Sequence, residues 1–482
     1  MSGFMRKMQR KGGLHAHWGK HVAVGLAAAG FLLSPVHARA SEITKPTGQM
    51  GAITQNGGVY NIFADQKTDN AAFNVFDKFS LDSGNIANLF FRTSADGTDA
   101  NALVNILKSG KFDINGTVNA IQDYQNKHVG GSLYFVSAEG ITVGATGVVN
   151  AGAINLVTPT QTGVNSMFDS GNTVKDTFDP TTLLTGGMTI NPSGTISVAG
   201  KLNAVDGVVM SAGTIEVKNT VDPNDTDKGA RILTKDNLDF SSLVNIEGVA
   251  DSGMSGGTLT ATPGMGGDIV LAAVATSTGK AASDQVLAAA GYKERDAKIS
   301  VEQGTSISSR GGVTLSATAV NKDKSFSDIR DLNLRELNSW IPEGSNPLGE
   351  VVFLSATADV DGAITGTNVD ISATTFNQYA STNDADSWSN ISAQGRAASQ
   401  FAQNSFGWIE KMQNTFRVTP IYSYRDSEAK VNIGEHAVLT ATQAPNVPVS
   451  PGSEDVLPSG ISAKASATTV NVTIASTSID SS

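Results

Sequence analysis

The sequence predicts an all-β fold, a right-handed parallel β-helix of the pectin-lyase-like kind with an N-terminal cap and a few helical excursions. Short runs, such as those at 194–202 and 213–217, alternate Val, Ile or Leu with small polar residues. Glycines that open such runs lie 24 residues apart at Gly116 and Gly140, and 19 residues apart at Gly194 and Gly213, a loose period typical of solenoids. Gly supplies 50 of 482 residues and aromatic residues only 6%, which suits tight corners around a narrow core.

The same pattern predicts coils along the rest of the chain. In each coil, inward Val and Ile would stack along the axis, while Thr, Ser and Asn would face outward or form corners. Further runs of this type lie at 116–121, 140–144, 147–156, 312–318, 362–373 and 434–441. We expect roughly 13–18 coils, each about 4.8 Å thick. An array of β-sandwiches is the alternative, but it would contain less glycine and more core aromatics.

Residues 1–40 are predicted to be a secretory signal peptide. A basic stretch precedes an apolar run at 22–33, and small residues at Ala38 and Ala40 define a cleavage motif, so the mature chain would begin at Ser41. The apolar run is too short for a membrane helix of about 20 residues. A short membrane anchor is the alternative.

The composition excludes several classes of function. There are no cysteines, which excludes disulfides, thiol nucleophiles and cysteine-ligated metals. Once residues 1–40 are removed, only His128 and His436 are left for a metal site or a catalytic triad. The mature chain then carries 28 basic against 45 acidic residues, so no nucleic-acid partner is expected. We expect no metal, no cofactor and no catalytic residue.

Three stretches interrupt the repeat pattern, and they lie at 276–296, 321–349 and 386–417. Residues 276–296 contain a predicted short helix at 284–290, and residues 386–417 form an aromatic-rich helical insertion. We expect these excursions to cover an apolar face of the solenoid; a segment that binds a partner or a sugar is the alternative. The predicted organisation is a signal peptide at 1–40, a β-helix domain at 41–320, a charged helical excursion or linker at 321–350, and further β-helix repeats at 351–482.

Two ordered stretches are more specific than the composition. Residues 71–91 read AAFNVFDKFSLDSGNIANLFF, and residues 133–160 run from LYFVSAEG through NAG to TPT. Together they resemble the two-partner secretion domain of filamentous haemagglutinin-type exoproteins, and the closest likeness is to leukotoxin-type filamentous adhesins of anaerobic bacteria. The resemblance covers residues 45–320, with weaker family-like repeats to residue 482.

The resemblance implies a fold and a function. The fold would be a right-handed β-helix with an N-terminal cap, exported by the general secretion pathway. A dedicated outer-membrane β-barrel transporter would recognise it in the periplasm, and the chain would cross unfolded and refold outside. Such proteins are adhesins, cytolysins or contact-dependent toxins on the surface of Gram-negative bacteria. A receptor on a host cell or on another bacterium would be a further partner, and a role in virulence is implied.

By position, the resemblance assigns transporter recognition and cap folding to Phe73, Asn74, Phe79, Asn88, Gly140, Asn150 and Gly152. The family's Asn-Pro-Asn-Gly turn is replaced by Ser-Ala-Glu-Gly at 137–140, and the companion Asn-Pro-Asn-Leu motif is not found. The asparagine contacts that support transport in other members are therefore not carried over. A purely structural role in the cap core or in a turn is the alternative for each residue, and we expect folding to be the larger part.

A polysaccharide-degrading β-helix enzyme is the first competing function. It would need carboxylates clustered on one face of the solenoid. The acids of the repeat region do not recur on one such face; they include Asp206, Glu216, Asp268, Asp361 and Asp370. The dense acidic stretch at 222–227 is interpreted as a solvated loop rather than a calcium site. We therefore expect a protein that is not an enzyme.

Two secretion-related alternatives lack their defining segments. A carrier of a contact-dependent toxin would need a distinct charged C-terminal domain, but the Ala/Thr/Ser/Val repeat continues to the end of the sequence. A self-contained autotransporter would need a C-terminal barrel with aromatic girdles, and aromatic residues end at Tyr424. We expect a truncated or split member of the family that depends on a separate transporter.

Overall fold

A computed structural model describes residues 41–473 apart from Met50, Asn70, Asp96, Thr185 and the segments 221–228, 241–256, 276–279, 282–291, 324–348, 380–421, 443–459 and 470–471. Within this part of the chain, three long sheets surround one apolar core. Between the terminal strands of each sheet, successive strands pair in parallel. We call them sheets A, B and C. The chain passes through C, A and B in turn, so three strands make one coil of a parallel β-helix. The predicted fold class is confirmed.

Antiparallel strands close the N-terminal end of all three sheets. The cap strands are β1 (Glu42–Thr44), β2 (Ile53–Asn56), β3 (Val59–Ala64) and β4 (Gln66–Lys67). Strand β1 ends sheet A, β2 ends sheet B and β4 ends sheet C. Each pairs antiparallel with its only neighbour in the described sheet, whereas the coils that follow are parallel.

The first four coils carry short strands and three additions. The strands are β5 (Ala72–Phe76), β6 (Lys78–Leu81), β7 (Ile86–Thr93), β8 (Ala102–Leu107), β9 (Lys111–Ile114), β10 (Thr117–Asp123), β11 (His128–Val129), β12 (Ser132–Ser137), β13 (Gly140–Val143), β14 (Val148–Asn150), β15 (Ala153–Val157), β16 (Phe168–Ser170), β17 (Thr173–Val174), β18 (Thr195–Val198) and β19 (Lys201–Ala204). Helix α1 (Gln161–Ser166), the β16–β17 hairpin and a 3₁₀ helix (Pro180–Leu183) lie between β15 and β18.

The later coils have longer strands in sheets A and C. They are β20 (Gly207–Ala212), β21 (Thr214–Val217), β22 (Arg231–Thr234), β23 (Asn237–Asp239), β24 (Thr258–Thr260), β25 (Ile269–Ala275), β26 (Lys280–Ala281), β27 (Tyr292–Val301), β28 (Ser306–Ser308), β29 (Val313–Asp323), β30 (Gly349–Val360), β31 (Ala363–Gly366), β32 (Val369–Tyr379), β33 (Tyr422–Ile433), β34 (Val438–Ala441), β35 (Ile461–Thr469) and β36 (Val472–Thr473).

Strand pairing stacks like residues along the axis. One inward column in sheet A runs through all coils, with each member paired to the next: Leu81, Ile114, Val143, Val198, Val217, Val301, Val360 and Ile433. All but the last are at most 1% exposed. Burying each such side chain contributes about 1.5–3 kcal/mol before entropy is counted. The alternation seen in the sequence therefore marks the core.

Two regions outside the coils cover apolar outer faces. Residues 158–194 lie over the outer face of sheet C, where Phe73 packs on Phe178 at 6.1 Å between ring centroids. On sheet B, Phe90 lies against Tyr124 and Phe240. Neither cover was predicted from the sequence. Both are needed because the first coils carry large apolar residues on their outer as well as their inner faces.

The predicted number of coils was wrong. Sheet A contains eight parallel strands in the described residues, one per coil, between the antiparallel β1 and β36. The estimate failed because described stretches such as 158–194 lie outside the coils, and because β30 and β33 each take 12 residues.

The predicted excursions lie mostly outside the described residues. Of 276–296, residues 280–281 and 292–296 are described, and they are strand rather than helix; the helix at 284–290 falls outside. Residues 321–323 and 349–350 belong to strands of continuous sheets. Residues 324–348 and 386–417 are outside the description, so the domain limits stay predictions. Among the described helices, none is both long and apolar enough to cross a membrane.

Candidate functional site

A buried lysine forms an ion pair and several hydrogen bonds at the N-terminal end of the solenoid. Lys45 follows β1, and its Nζ donates hydrogen bonds to the Asp65 Oδ1 at 2.8 Å, the Phe63 carbonyl at 2.9 Å and the Asn74 Oδ1 at 2.9 Å. The Lys45 and Asp65 side chains are 7% and 1% exposed. Burial lowers the pKa of Lys45, and the Asp65 carboxylate opposes that shift. One ammonium group thus ties β1, β3 and β5 together.

The Asp65 carboxylate also closes the exposed edge of sheet C. It accepts hydrogen bonds from the backbone N–H of Gly51 at 2.9 Å and of Val75 at 2.8 Å. Strand β4 reaches only the first two residues of β5, so without Asp65 the N–H of Val75 would lack this partner. A buried unpaired N–H costs about 1–3 kcal/mol. The side chain therefore substitutes for a strand at this edge.

Aromatic rings fill the core of the first three coils. The Phe79 ring centroid lies 5.2 Å from that of Phe76, 5.4 Å from Phe112 and 6.1 Å from Phe135. All four rings are fully buried. Edge-to-face aromatic pairs contribute about 0.5–1.5 kcal/mol beyond their area. The predicted residue Phe79 is thus at the centre of the cap core, while the predicted Phe73 lies on the other face of the sheet, under residues 158–194.

Asparagines form a ladder along sheet B. Each side-chain amide donates to the side-chain oxygen of the asparagine one coil before it, at 2.8–3.1 Å. The ladder contains Asn61, Asn88, Asn119, Asn150 and Asn203. In sheet C, Asn74 donates to Asn105 at 3.0 Å. The predicted residues Asn74, Asn88 and Asn150 therefore belong to two buried ladders.

The turn that replaces Asn-Pro-Asn-Gly is built on Ser137. Its Oγ accepts from the backbone N–H groups of Glu139 at 3.2 Å and Gly140 at 3.3 Å, and donates to the Gly110 carbonyl at 2.6 Å. Gly140 has φ +151°, and an added Cβ would lie 2.5 Å from the Thr195 carbonyl oxygen. This corner therefore requires glycine.

Gly152 is constrained by close packing of adjacent coils. A Cβ at this position would lie 2.8 Å from both the nitrogen and the carbonyl oxygen of Gly131. Its carbonyl accepts from the N–H groups of Val205 at 3.0 Å and Asp206 at 2.8 Å. Gly152 thus bonds to the following coil through its carbonyl and leaves no room for a side chain against the preceding coil.

The predicted cleavage site is described only in part. Ala38 and Ala40 lie outside the described residues. The Oγ of Ser41 accepts from the N–H of Asp82 at 2.8 Å and from the Nδ2 of Asn85 at 2.6 Å. Ser41 therefore already contributes to the corner between sheets A and B in the first coil.

The seven predicted residues are all buried, and they do not form one surface patch. In the folded domain, the side chains of Phe73, Asn74, Phe79, Asn88 and Asn150 have no exposed area. Asn105 and Asn119 were missed, although Asn74 and Asn105, and Asn88, Asn119 and Asn150, are spaced by 31 residues. That equal spacing was the available signal. Nothing in the sequence marked Lys45 or Asp65.

The acidic residues lie on different parts of the solenoid and have protein partners. Asp206 accepts from the N–H and Oγ1 of Thr262, both at 2.7 Å, and Asp268 accepts from the N–H of Gly312 at 2.7 Å. Glu216 is on sheet A and Asp370 on sheet C. In the described part of the chain, no group of three His, Cys, Asp or Glu residues could hold a metal ion.

One shallow groove follows the corner between sheets A and B. It has a volume of about 310 Å³ and is lined by residues of three coils, among them Glu302, Asp359 and Asp361. The backbone N–H of His436 donates to Asp361 at 2.9 Å, and its Nδ1 lies 3.2 Å from the other carboxylate oxygen. These contacts, the backbone one first, lower the pKa of Asp361.

Comparison with known proteins gives no match, either among family models or among curated proteins.

Proposed function

We propose that the chain is a secreted or cell-surface exoprotein of the filamentous adhesin type, exported through a partner outer-membrane β-barrel transporter. Its N-terminal domain would act as the secretion signal and as the folding nucleus. The observation that supports this proposal is the N-terminal cap. All three sheets are closed at that end by antiparallel strands, and the cap contains the buried ion pair of Lys45 with Asp65. The family resemblance supplies the transporter.

The cap favours folding that starts at the N-terminus. Each coil after the cap pairs in register with the coil before it, and contacts within a coil pair are close in sequence where no excursion intervenes. Contacts that are close in sequence lower the entropy cost of each added coil. A chain whose N-terminal part folds first as it leaves a pore could therefore fold coil by coil. This folding would oppose movement of the chain back through the pore.

The residues assigned by resemblance would act through this nucleus. Because Phe79, Asn88 and Asn150 are buried once the domain is folded, a transporter could contact their side chains only in the unfolded chain. We propose that recognition occurs before folding and that the same residues then build the cap core and the asparagine ladder. The chain has no cysteine that could form a cross-link during transport.

The test is transporter-dependent export. The chain is expressed in a Gram-negative host with and without a transporter encoded beside it, followed by fractionation and protease treatment of intact cells. Appearance outside only with the transporter supports the proposal. Retention in the periplasm in both cases contradicts it.

Two variants test whether export depends on the cap. Lys45→Met should impair export if the cap is the nucleus, whereas Lys201→Met, at an exposed position of β19, should leave export unchanged. Equal loss from both variants would contradict a specific role of the cap.

The groove at the corner between sheets A and B favours a second candidate function, cleavage of a polysaccharide. Three of the residues that line it are acidic. Asp361 accepts from the backbone N–H of His436 at 2.9 Å, and Glu302 accepts from the backbone N–H of Asn219 at 2.9 Å, so in an enzyme both carboxylates would have to serve the fold as well as the reaction. Release of reducing ends from a panel of acidic and neutral polysaccharides, lost in Asp361→Asn, would favour the enzyme over the adhesin.

A further inference from the structure

Three side chains of different chemistry meet inside the N-terminal cap: an amine, a carboxamide and a carboxylate. The Nζ of Lys45 lies 2.8 Å from the Oδ1 of Asp65 and 2.9 Å from the Oδ1 of Asn74. Asn74 has no exposed area, and the side chains of Lys45 and Asp65 are 7% and 1% exposed. A nucleophile, a carbonyl carbon and a group that can carry protons are therefore held together away from water.

The carboxamide of Asn74 is held with its oxygen towards Lys45. Its Nδ2 donates to the Oδ1 of Asn105 at 3.0 Å, and Asn105 in turn donates to the Tyr134 carbonyl at 3.1 Å. A C=O bond is about 1.23 Å long and the Oδ1 of Asn74 is 2.9 Å from the Nζ of Lys45, so this Nζ lies within about 4.1 Å of the Asn74 Cγ. Nucleophilic attack needs about 3–3.5 Å, a distance that small rotations of the lysine side chain supply.

The surroundings of Lys45 favour its uncharged form, which is the nucleophilic one. The ring centroid of Phe76 lies 5.6 Å from the Nζ, and Phe76 has no exposed area. Burial lowers the pKa of Lys45 and so makes loss of its proton easier than in water. Asp65, at hydrogen-bond distance, is placed to take that proton.

We propose that Lys45 and Asn74 form an isopeptide bond in the folded protein, with Asp65 as the proton relay. Asp65 takes one proton from the ammonium, and the Nζ lone pair then forms a bond to the Asn74 Cγ. The bond from Cγ to Nδ2 breaks as Asp65 passes its proton to Nδ2, which leaves as ammonia. The carboxylate then takes a second proton from the new amide nitrogen. The two side chains lose one ammonia and nothing is oxidised or reduced.

The bond would close the cap covalently. It joins Lys45, just after β1, to Asn74 on β5, a separation of 29 positions in the chain. Because the three groups meet only in the folded cap, the bond forms after folding and an unfolded chain contains no cross-link. The ion pair of Lys45 with Asp65 is the state before the reaction, so the stability and pH dependence of that pair are measured on freshly refolded chain.

Mass spectrometry of the full chain decides the proposal. The chain is purified in guanidinium chloride, refolded, and sampled from the first minutes to several days. The refolded chain should lose about 17 Da, the mass of one ammonia, whereas the chain kept in guanidinium chloride should keep its full mass. Trypsin cleaves after Lys67 and Lys78, so digestion should recover residues 68–78 joined to the peptide that contains Lys45. A folded chain that keeps its full mass, with these two peptides recovered separately, would overturn the proposal.

Matched variants assign the roles. Lys45→Arg keeps a cation but removes the amine, and Asp65→Asn keeps the size but removes the proton relay, so both should keep their full mass. Lys201→Arg, at an exposed position of β19, should lose ammonia as the wild type does. Loss of ammonia from Asp65→Asn at the wild-type rate would overturn the role of Asp65. The joined tryptic peptide distinguishes this bond from ring closure at Asn-Gly sequences such as 56–57, which also releases ammonia. Circular dichroism shows which variants fold, and the wild-type result does not depend on them.

Discussion

Replacing Lys45 with methionine tests whether the cap depends on its buried ion pair. Methionine keeps most of the side-chain volume but removes the ammonium. Asp65 would keep its bonds from Gly51 and Val75 and would lose the ammonium of Lys45, while the oxygens of Phe63 and Asn74 would lose a donor. Breaking one side of a buried pair typically costs about 3–5 kcal/mol. We expect Lys45→Met to lower the free energy of unfolding by this amount.

The assay is equilibrium urea unfolding of the full chain, followed by far-ultraviolet circular dichroism. The control is Lys201→Met, an exposed lysine on β19, which should change the free energy of unfolding by less than about 0.5 kcal/mol. The double variant Lys45→Met with Asp65→Asn removes the unpaired charge and should recover part of the loss. A loss below about 1 kcal/mol in Lys45→Met would refute the reasoning, because the pair would then behave like an exposed one.

The lowered pKa of Lys45 adds a pH dependence with a defined sign. Since the unfolded chain holds this proton up to about pH 10.5 and the folded chain releases it at lower pH, the unfolded state binds more protons between these two values. Stability from this group therefore rises with pH across that window. The difference in stability between wild type and Lys45→Met should increase over the same range, in urea titrations at successive pH values. A difference that shrinks with rising pH would contradict the assigned direction.

Three further predictions concern the ladder, the turn and the groove. Asn119→Ala, in the middle of the ladder, breaks two side-chain bonds and should cost about 2–3 kcal/mol in urea unfolding, against about 1 kcal/mol for Asn203→Ala at its described end; equal losses would contradict a ladder. Gly140→Ala should destabilise the protein more than Gly171→Ala, because a Cβ meets the Thr195 carbonyl in the first case and open space in the second. In His436→Gln, nuclear magnetic resonance titration should find the pKa of Asp361 still below 3.8, since the backbone N–H is the larger cause; a full return to 3.8 would refute that order.

Core positions could be predicted from the sequence where apolar and polar residues alternate regularly. Alternation in residues 213–217 placed Ile215 and Val217 in the core because inward positions recur every second residue. In the first coils this alternation is broken, because strands such as β5 and β12 also carry large apolar residues on their outer face, for example Phe73 and Tyr134. Their cover by residues 158–194 could not be foreseen, because the contact joins segments about 100 residues apart.

The candidate site was foreseen in part for the same reason. Phe79, Asn88 and Gly140 were selected by resemblance, and the structure places each at a position where its residue type is needed for the fold. Asn88, Asn119 and Asn150 are equally spaced in the sequence, which is the signal of the ladder. Their side chains can be predicted to stack only if one coil is known to take 31 residues in this region.

The sequence by itself determined the solenoid class, because a period-two pattern with glycine corners repeats locally and needs no distant partner. The tertiary structure alone decided how many coils form, which outer faces are covered, and how the N-terminal end is closed. Lys45 illustrates the difference: in the sequence it is one of 34 basic residues, and only folding brings it to Asp65 and Asn74, 20 and 29 positions away. A buried charge is specified by its three-dimensional partners, and no local pattern encodes them.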